Sequence, residues 1–333
     1  VFLTNGLSKL LRALTLLLCL YSSQALTATI ALVDSYHESY QWSASYRQGI
    51  DSVLGVKHSL SIFELDTKRT PKHDHAAIAA ATIDAITQLN PDLVILADDN
   101  AVSLLAAEIM ELSYPLIVMG LNANPRKYHL NDYDDVGALL ERPIFRRSIM
   151  MASELLNLTQ PQRFMMLFDN SATSRIALTE LSADLSPITL SNIRIDFVAT
   201  NDYKQWQNHI KTSQQNGFSA VFVGLYHTLS NDGTHVPSSD AAAWADTNSP
   251  TPIFGFWDFA VTDNIALGGF VLDGYLHGVQ AAKMALSRLN NGVKQRTFIN
   301  DRQGSYYFNS SKLKHWKISL PETVKQQTRW TSP

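Results

Sequence analysis

Cysteine is nearly absent from this chain: Cys19 stands alone in 333 residues. One thiol excludes a disulfide framework and any multi-cysteine zinc site. A basic excess is missing too, with 27 Lys and Arg against 30 Asp and Glu and a formal net charge of −3. The sequence therefore offers no electrostatic grip on nucleic acid or anionic lipid. Charged residues are sparse at 17%, while 45% of the chain is hydrophobic and 10% aromatic, a composition that excludes a disordered or low-complexity polymer. Catalytic signatures are also lacking: there is no HExxH, no G-x-S-x-G elbow, and no Walker-type or G-x-G-x-x-G loop after a strand. What is there is enough chain for two domains, each able to bury its own core.

The first 25 residues read as an export signal. Lys9 and Arg12 precede an apolar run over 13–20, and Ser23-Gln24-Ala25 puts small residues at the positions a signal peptidase reads. The run is shorter than the roughly 20 residues of a membrane span. Cleavage after Ala25 is thus favoured over a retained anchor helix, and Leu18 before Cys19 argues against lipid attachment. Cleavage leaves 25 basic against 30 acidic residues, a net −5, and no cysteine. A cysteine-free, mildly acidic exported protein fits a bacterial periplasm, and no later apolar stretch reaches membrane-spanning length.

Beyond the signal, short apolar runs alternate with segments of helical period. Strands are expected at 29–33, 60–65, 93–97 and 116–119, and helices at 43–53, 76–89 and 101–112. Near-continuous apolar strands separated by helices signify a parallel sheet covered on both faces. Residues 122–143, with an Asn-Pro step and the cluster Asp132, Tyr133, Asp134, Asp135, read as a surface connection. A second series follows, with helices at 145–156, 171–185 and 203–214 and strands at 164–168, 193–198, 220–224 and 253–256. Between them the polar stretch 230–250 holds a short helix near 241–245. The tail has a strand at 270–272, a helix at 274–289, a strand at 305–308 and two small helices from 310 and 321. It is too small for a third domain and completes the two halves. The fold class is α/β, with two doubly wound parallel-sheet halves.

Three stretches carry a family resemblance. One is Val33-Asp34-Ser35-Tyr36-His37-Glu38-Ser39-Tyr40-Gln41-Trp42, followed by a helix containing Arg47-Gln48-Gly49-Ile50. Another is Leu65-Asp66-Thr67-Lys68-Arg69. The last runs from Phe254-Gly255-Phe256-Trp257-Asp258 through Gly268-Gly269 and Gly274-Tyr275 to Tyr307-Phe308-Asn309 and Leu313. In this order and spacing they resemble the type I periplasmic solute-binding proteins of the ABC-transporter substrate-binding family, over nearly all of the chain after the signal. The resemblance implies two lobes joined by crossover strands, one formed by 26–124 plus 259–294 and the other by 125–258 plus 295–333. It implies a monomer without cofactor that closes by a hinge on a small polar solute, an amino acid or similar, and delivers it to an inner-membrane ABC permease. The Ser35-Tyr36-His37 and Asp66 to Arg69 elements also resemble members that work with sensor kinases and diguanylate cyclases, so a sensory receptor of the same fold is the second reading.

In parallel sheets ligands meet the loops after the strands' carboxyl ends. Those loops carry Ser35, Tyr36, His37, Tyr40 and Trp42, then Asp66, then Asp98, Asp99 and Asn100, then Asn122. In the second half they carry Asp169, Asn170 and Ser171, then Tyr226, then Trp257 and Asp258, with Asp273 and Tyr275 after the returning strand. Aromatic faces beside carboxylates, amides and hydroxyls suit a small polar ring-bearing or flat solute. Plainer roles compete for the same residues. Asp99, Asn100, Asn170 and Ser171 precede helices and serve equally as N-caps. Asp66 can pair with Lys68 or Arg69 at a surface turn, Tyr40 and Trp42 can be core, Trp257-Asp258 can pack a hinge, and Tyr226 can pack with His227. Acidic groups suit an amine and Lys68, Arg69 and Arg126 a carboxylate, and the sequence does not rank the two. Lys72-His73-Asp74-His75 has metal-like spacing but sits in a polar, Pro-led turn, so no metal is expected there. Asp98-Asp99 as a catalytic dyad fails because adjacent strand-end residues face opposite ways, and no enzyme is expected.

Overall fold

The computed structural model describes residues 27–157, 160–291 and 296–331; the export signal expected at 1–25 lies outside them. The first series is β1 (Thr29–Asp34), α1 (Gln41–Leu54), β2 (Ser59–Glu64), α2 (His75–Leu89), β3 (Leu93–Ala97), α3 (Asp98–Glu111), β4 (Leu116–Leu121) and β5 (Val136–Glu141). After α4 (Phe145–Leu156) come β6 (Gln162–Phe168), α5 (Ala172–Thr179), β7 (Ile188–Leu190), β8 (Ile193–Ala199), α6 (Tyr203–Lys211) and β9 (Ala220–Val223). A small hairpin of β10 (Ser230–Asn231) and β11 (Thr234–His235) leads to α7 (Ser238–Asn248), β12 (Ile253–Gly255), α8 (Asp258–Thr262) and β13 (Gly268–Leu272). The tail is α9 (Gly274–Asn291), β14 (Thr297–Asp301), β15 (Gly304–Asn309), α10 (Ser310–Trp316), α11 (Glu322–Gln327) and β16 (Thr328–Thr331).

Apart from the β10–β11 hairpin, these strands make two sheets, one per lobe. The first has the order β14-β5-β4-β3-β1-β2 and is parallel throughout. Its inner strands β3, β4 and β5 are buried along their whole length, as strands covered on both faces must be. Alternation sorts β1 between two layers: Ile30 and Leu32 pack toward α1, while Ala31 and Val33 join the core under α2 and α3. The edge strand β2 instead leaves Ile62 and Glu64 exposed, and Arg47 of α1 pairs with Asp34 and Glu64 at the ends of β1 and β2. The second sheet has the order β16-β15-β13-β12-β9-β6-β8-β7, with antiparallel pairing only at β13–β15 and β7–β8.

The chain crosses between lobes three times: after β5 at 142–144, at Asp273 between β13 and α9, and between β14 and β15 at 302–303. This differs from the lobe boundaries expected from sequence. Residues 136–141, assigned there to the second lobe, form β5 of the first sheet, and 268–272, assigned to the first lobe, form β13 of the second. Strand β14, expected with the second lobe, also belongs to the first sheet. The physical reason is that the Asp/Tyr-rich loop, which does form two 3-10 turns at Pro125–Tyr128 and Leu130–Asp132, obscures the short apolar strand behind it. Helix α9 returns to the first lobe and packs on α1 at very close range. A Cβ at Gly278 would run into the carbonyl of Tyr46, and one at Gly49 into the carbonyl of Tyr275, so the two backbones meet where neither carries a side chain.

Candidate functional site

The carboxyl ends of both sheets face one cleft of about 520 Å³. Each sheet points its topological switch point at this cleft: β1, between β2 and β3, and β6, between β8 and β9. From the first lobe come Tyr36, Tyr40 and Trp42 after β1, Thr67 and Lys68 after β2, Asp98 and Asn100 after β3, Asn122 after β4 and Glu141 at the end of β5. From the second come Asp169, Asn170 and Ser171 after β6, Asn201 after β8, Leu225 and Thr228 after β9, and Trp257 and Phe259 after β12.

Of the residues singled out from sequence, ten are brought together here: Tyr36, Tyr40, Trp42, Asp98, Asn100, Asn122, Asp169, Asn170, Ser171 and Trp257. The other eight are placed elsewhere, each for a visible reason. Ser35 is buried as a tie between strand and helix, its hydroxyl donating to the Ala97 carbonyl (2.6 Å) and accepting from the Ala101 N–H (2.7 Å). Asp66 turns outward at φ 47° and takes the Arg69 guanidinium at 2.8 and 2.9 Å. Asp99 accepts from the Asn122 and Ala123 N–H groups (2.8 and 3.0 Å) and the Tyr128 hydroxyl (3.0 Å), so it holds the loop after β4. Tyr226 is buried, donates to Asp263 (2.8 Å) and stacks on His227. His37 lines a neighbouring hollow. Asp258 and Tyr275 line a small hollow of about 250 Å³ at the lobe junction, where Asp258 accepts from Ser45 and the Gly274 N–H. Asp273 is held there by Arg329 and Ser305.

Two charged groups are central to the site. Lys68 carries a signal in the sequence, since it follows the second strand and is weighed there as the partner of a carboxylate. Glu141 had none, because its strand was read as loop. In the fold the Lys68 ammonium sits over two rings, 4.0 Å from the centre of Tyr36 and 3.6 Å from that of Tyr40, a cation–π seat. Among the described residues no carboxylate pairs with it. Burial pushes its pKa down to about 8, against the pull of Asp169, Asp98 and Glu141. Glu141 accepts the Trp257 indole N–H (2.7 Å), a bond that joins the two lobes. Burial pushes its pKa up to about 7, although His277 and that indole N–H favour its charge.

Asp98 begins α3 at φ 68°, and its Oδ2 is buried with no partner. Burial first, then the charge of Glu141, lifts its pKa well above the ordinary carboxylate range, with Lys68 opposing. Behind it, the Gly120 N–H donates to His277 Nε2 (2.8 Å), whose Nδ1 meets Asp301 Oδ2 (2.5 Å), so a buried histidine braces the bend that lets β4 pass Asp98. Across the cleft, Asp169 is fully engaged: it accepts from the His227 and Thr228 N–H groups (2.9 and 3.1 Å), the Ser171 N–H (3.2 Å) and the Ser174 hydroxyl (2.5 Å). Ser171 caps α5 by accepting the Ser174 N–H. Beside it, the Asn170 Oδ1 is buried without a partner. Buried polar atoms are nearly always paired, and here two lie unpaired on opposite walls of one cleft. Among the described residues no group of three or more His, Cys, Asp or Glu is placed to hold a metal. In the Lys72–His75 turn, His73 is exposed and His75 bonds the Thr70 carbonyl.

No family model matches the sequence, and no curated protein matches it. Solved structures do match the fold. The ABC domain in complex with L-Trp from Streptococcus pneumonia is 15% identical, with a TM-score of 0.62, over 92% of this chain and 100% of that one. A substrate binding protein with adhesive properties from Clostridium difficile, in its ligand-free, open form, is 13% identical, with a TM-score of 0.60, over 92% and 99%. A 5-methylthioribose transporter solute binding protein from Thermotoga lettingae, in complex with 5-methylthioribose, is 10% identical, with a TM-score of 0.53, over 90% and 96%. Regulators of the LacI family are similar as well.

Proposed function

We infer a function from the type I periplasmic binding fold, two α/β lobes over a common cleft, that the chain shares with solute-binding proteins. We propose that it is an exported protein that captures a small polar organic solute, an amino acid or a similar zwitterion, and delivers it to an inner-membrane ABC permease. The observation that carries this reading is a pair of unpartnered groups in the cleft: a carboxyl with a free buried oxygen on Asp98 and an unpaired ammonium on Lys68, beside the rings of Tyr36 and Tyr40. A solute with an ammonium and a carboxylate completes both, and its apolar part meets aromatic faces.

Closure follows from where these groups sit. Lys68, Asp98 and Glu141 belong to the first lobe and Asn170, Asn201 and Thr228 to the second, so a solute touching both sets favours the closed arrangement. Recognition of that closed rim by the permease makes delivery conditional on occupancy. Consistent with a water-exposed exported protein, no helix among the described residues is long and apolar enough to cross a membrane. A thermal-shift panel of amino acids, sugars and nucleosides tests capture: at least one zwitterion raises Tm, and silence throughout contradicts the proposal. Uptake of that compound by cells lacking the protein tests delivery. Lost uptake supports a transport role, whereas intact uptake with a lost signalling response moves the protein to the sensory role.

A further inference from the structure

A second hollow of about 650 Å³ adjoins the cleft and shares Tyr40 and Lys68 with it. It too is walled by both lobes, with His37 and Gln41 from the first and His227, His235 and Ser238 from the second. Each hollow alone falls within the roughly 300–1,000 Å³ of an ordinary small-molecule pocket. Two adjoining ones exceed the needs of a single free amino acid.

The chemistry of the outer hollow differs from that of the cleft because, Lys68 at the shared boundary aside, its charges are already used. Asp246 pairs with Lys312, Asp263 accepts the Tyr226 hydroxyl, and Arg69 holds Asp66. What is left unused is an imidazole. His227 is only 7% exposed, and its Nδ1 has no partner. Its ring lies flat on Tyr226 (4.7 Å between centres, 20° between planes) and edge-on to Tyr40 (4.8 Å) and Phe259 (5.1 Å). Burial and the nearby Lys68 push its pKa well below the usual histidine value, so the ring is neutral and offers a hydrogen bond rather than a charge. The same residue is tied to both compartments, since its N–H donates to Asp169 in the cleft and its carbonyl meets His235 Nε2 in the hollow.

We propose that the outer hollow is a second subsite and that the solute is two-part and of dipeptide length. Its ammonium lies at Asp98 and Glu141 and its carboxylate at Lys68, where the compartments meet. An uncharged planar group with a hydrogen-bonding edge extends toward His227. This rests on the capture of a zwitterion in the cleft, and it adds the length of the solute and the character of its far end.

Calorimetric titration of the full chain with alanine, alanyl-leucine and alanyl-tryptophan tests it, using the wild type, His227→Phe and Ala243→Trp. Ala243 is an exposed lining residue of the outer hollow on α7, so its replacement fills that hollow without touching the core. Alanyl-tryptophan should bind about tenfold tighter than alanine, and His227→Phe should weaken it about fivefold, the weight of one net hydrogen bond, while sparing alanyl-leucine. Ala243→Trp should weaken both dipeptides and leave alanine unchanged, and it carries the test if the buried His227→Phe variant does not fold. Alanine binding that equals dipeptide binding, or dipeptide binding indifferent to Ala243→Trp, overturns the second subsite and leaves capture in the cleft standing. Failure of both dipeptides to bind the wild type overturns the two-part solute, and only silence of the whole thermal-shift panel overturns capture in the cleft as well.

Discussion

The two walls of the cleft are built on opposite terms. The first lobe presents ionisable groups that its own structure does not satisfy: Asp98 with a free buried oxygen, Lys68 seated only on aromatic rings, and Glu141 held by a single indole N–H from the other lobe. On the second lobe, the Asp169 carboxylate is saturated by four donors from its own loops, and Ser171 is committed to capping α5. An unsatisfied buried ionisable group is costly in the empty protein and is relieved by a complementary ligand, whereas a saturated carboxylate fixes loops and has little left to offer. On the proposed reading the first wall selects the charges of the solute, and the second, apart from the unpaired Asn170 amide oxygen, is a fixed surface that closes over it.

Paired substitutions break or sharpen this contrast. Asp98→Asn, which keeps shape and removes charge, should weaken capture of an ammonium-bearing solute by about a hundredfold or more, as for truncation of a buried charge pair. The same variant should match or exceed the wild type in thermal stability, because the carboxyl it replaces favours its neutral form in the empty cleft and has a buried oxygen without a partner. Asp169→Asn should do the reverse. It leaves donors without acceptors and should lower stability by about 1–3 kcal/mol in chemical denaturation, with a smaller effect on affinity. Lys68→Met should cost about tenfold in affinity for carboxylate-bearing solutes, measured by calorimetry, and spare their amide analogues.

The pH dependence of binding is a subtler test. Glu141 has its pKa raised to about 7, so it takes up a proton and loses its hold on an ammonium as pH falls through that value. Lys68 has its pKa lowered to about 8, so it loses its proton and its hold on a carboxylate as pH rises through that value. Affinity should therefore peak between about 7 and 8 and decline on both sides. Asp98→Asn should weaken binding across the range while keeping the alkaline decline. Because Asp98 in the empty cleft favours its protonated form, binding an ammonium should also release protons. Titrations in buffers of different ionisation enthalpy detect that release.

The smallest effect on binding belongs far from both walls. Gly278→Ala, at the crossing of α1 and α9, should cost about 1–3 kcal/mol of stability by overpacking, with little change in the affinity of the folded fraction.

The alternation of apolar strand and amphipathic helix made both sheets legible in the sequence, because strands covered on two faces must be continuously apolar, as Leu93–Ala97 is. Short strands behind turn-rich segments were not legible. Val136–Glu141 follows a loop dense in Asp and Tyr, and Thr297–Asp301 mixes polar residues into a strand at the end of its sheet. Missing these two displaced the crossovers. The strand-end rule gathered much of the cleft, since geometry alone brings such loops together. It could not separate residues that face the cleft from neighbours that cap or brace it. Asp98 and Asp99 are adjacent, yet one has a free oxygen in the cleft and the other holds the loop after β4. Only the hydrogen bonds of the folded chain distinguish them.

The most direct test is a calorimetric titration, at pH 7.5, of the wild type and Asp98→Asn with the zwitterion that gives the largest thermal shift. The account predicts saturable one-to-one binding to the wild type, together with loss of binding in a variant that unfolds at the same temperature or higher. Equal binding by the two proteins would contradict it, because the unpaired carboxylate of the first lobe would then play no part in capture.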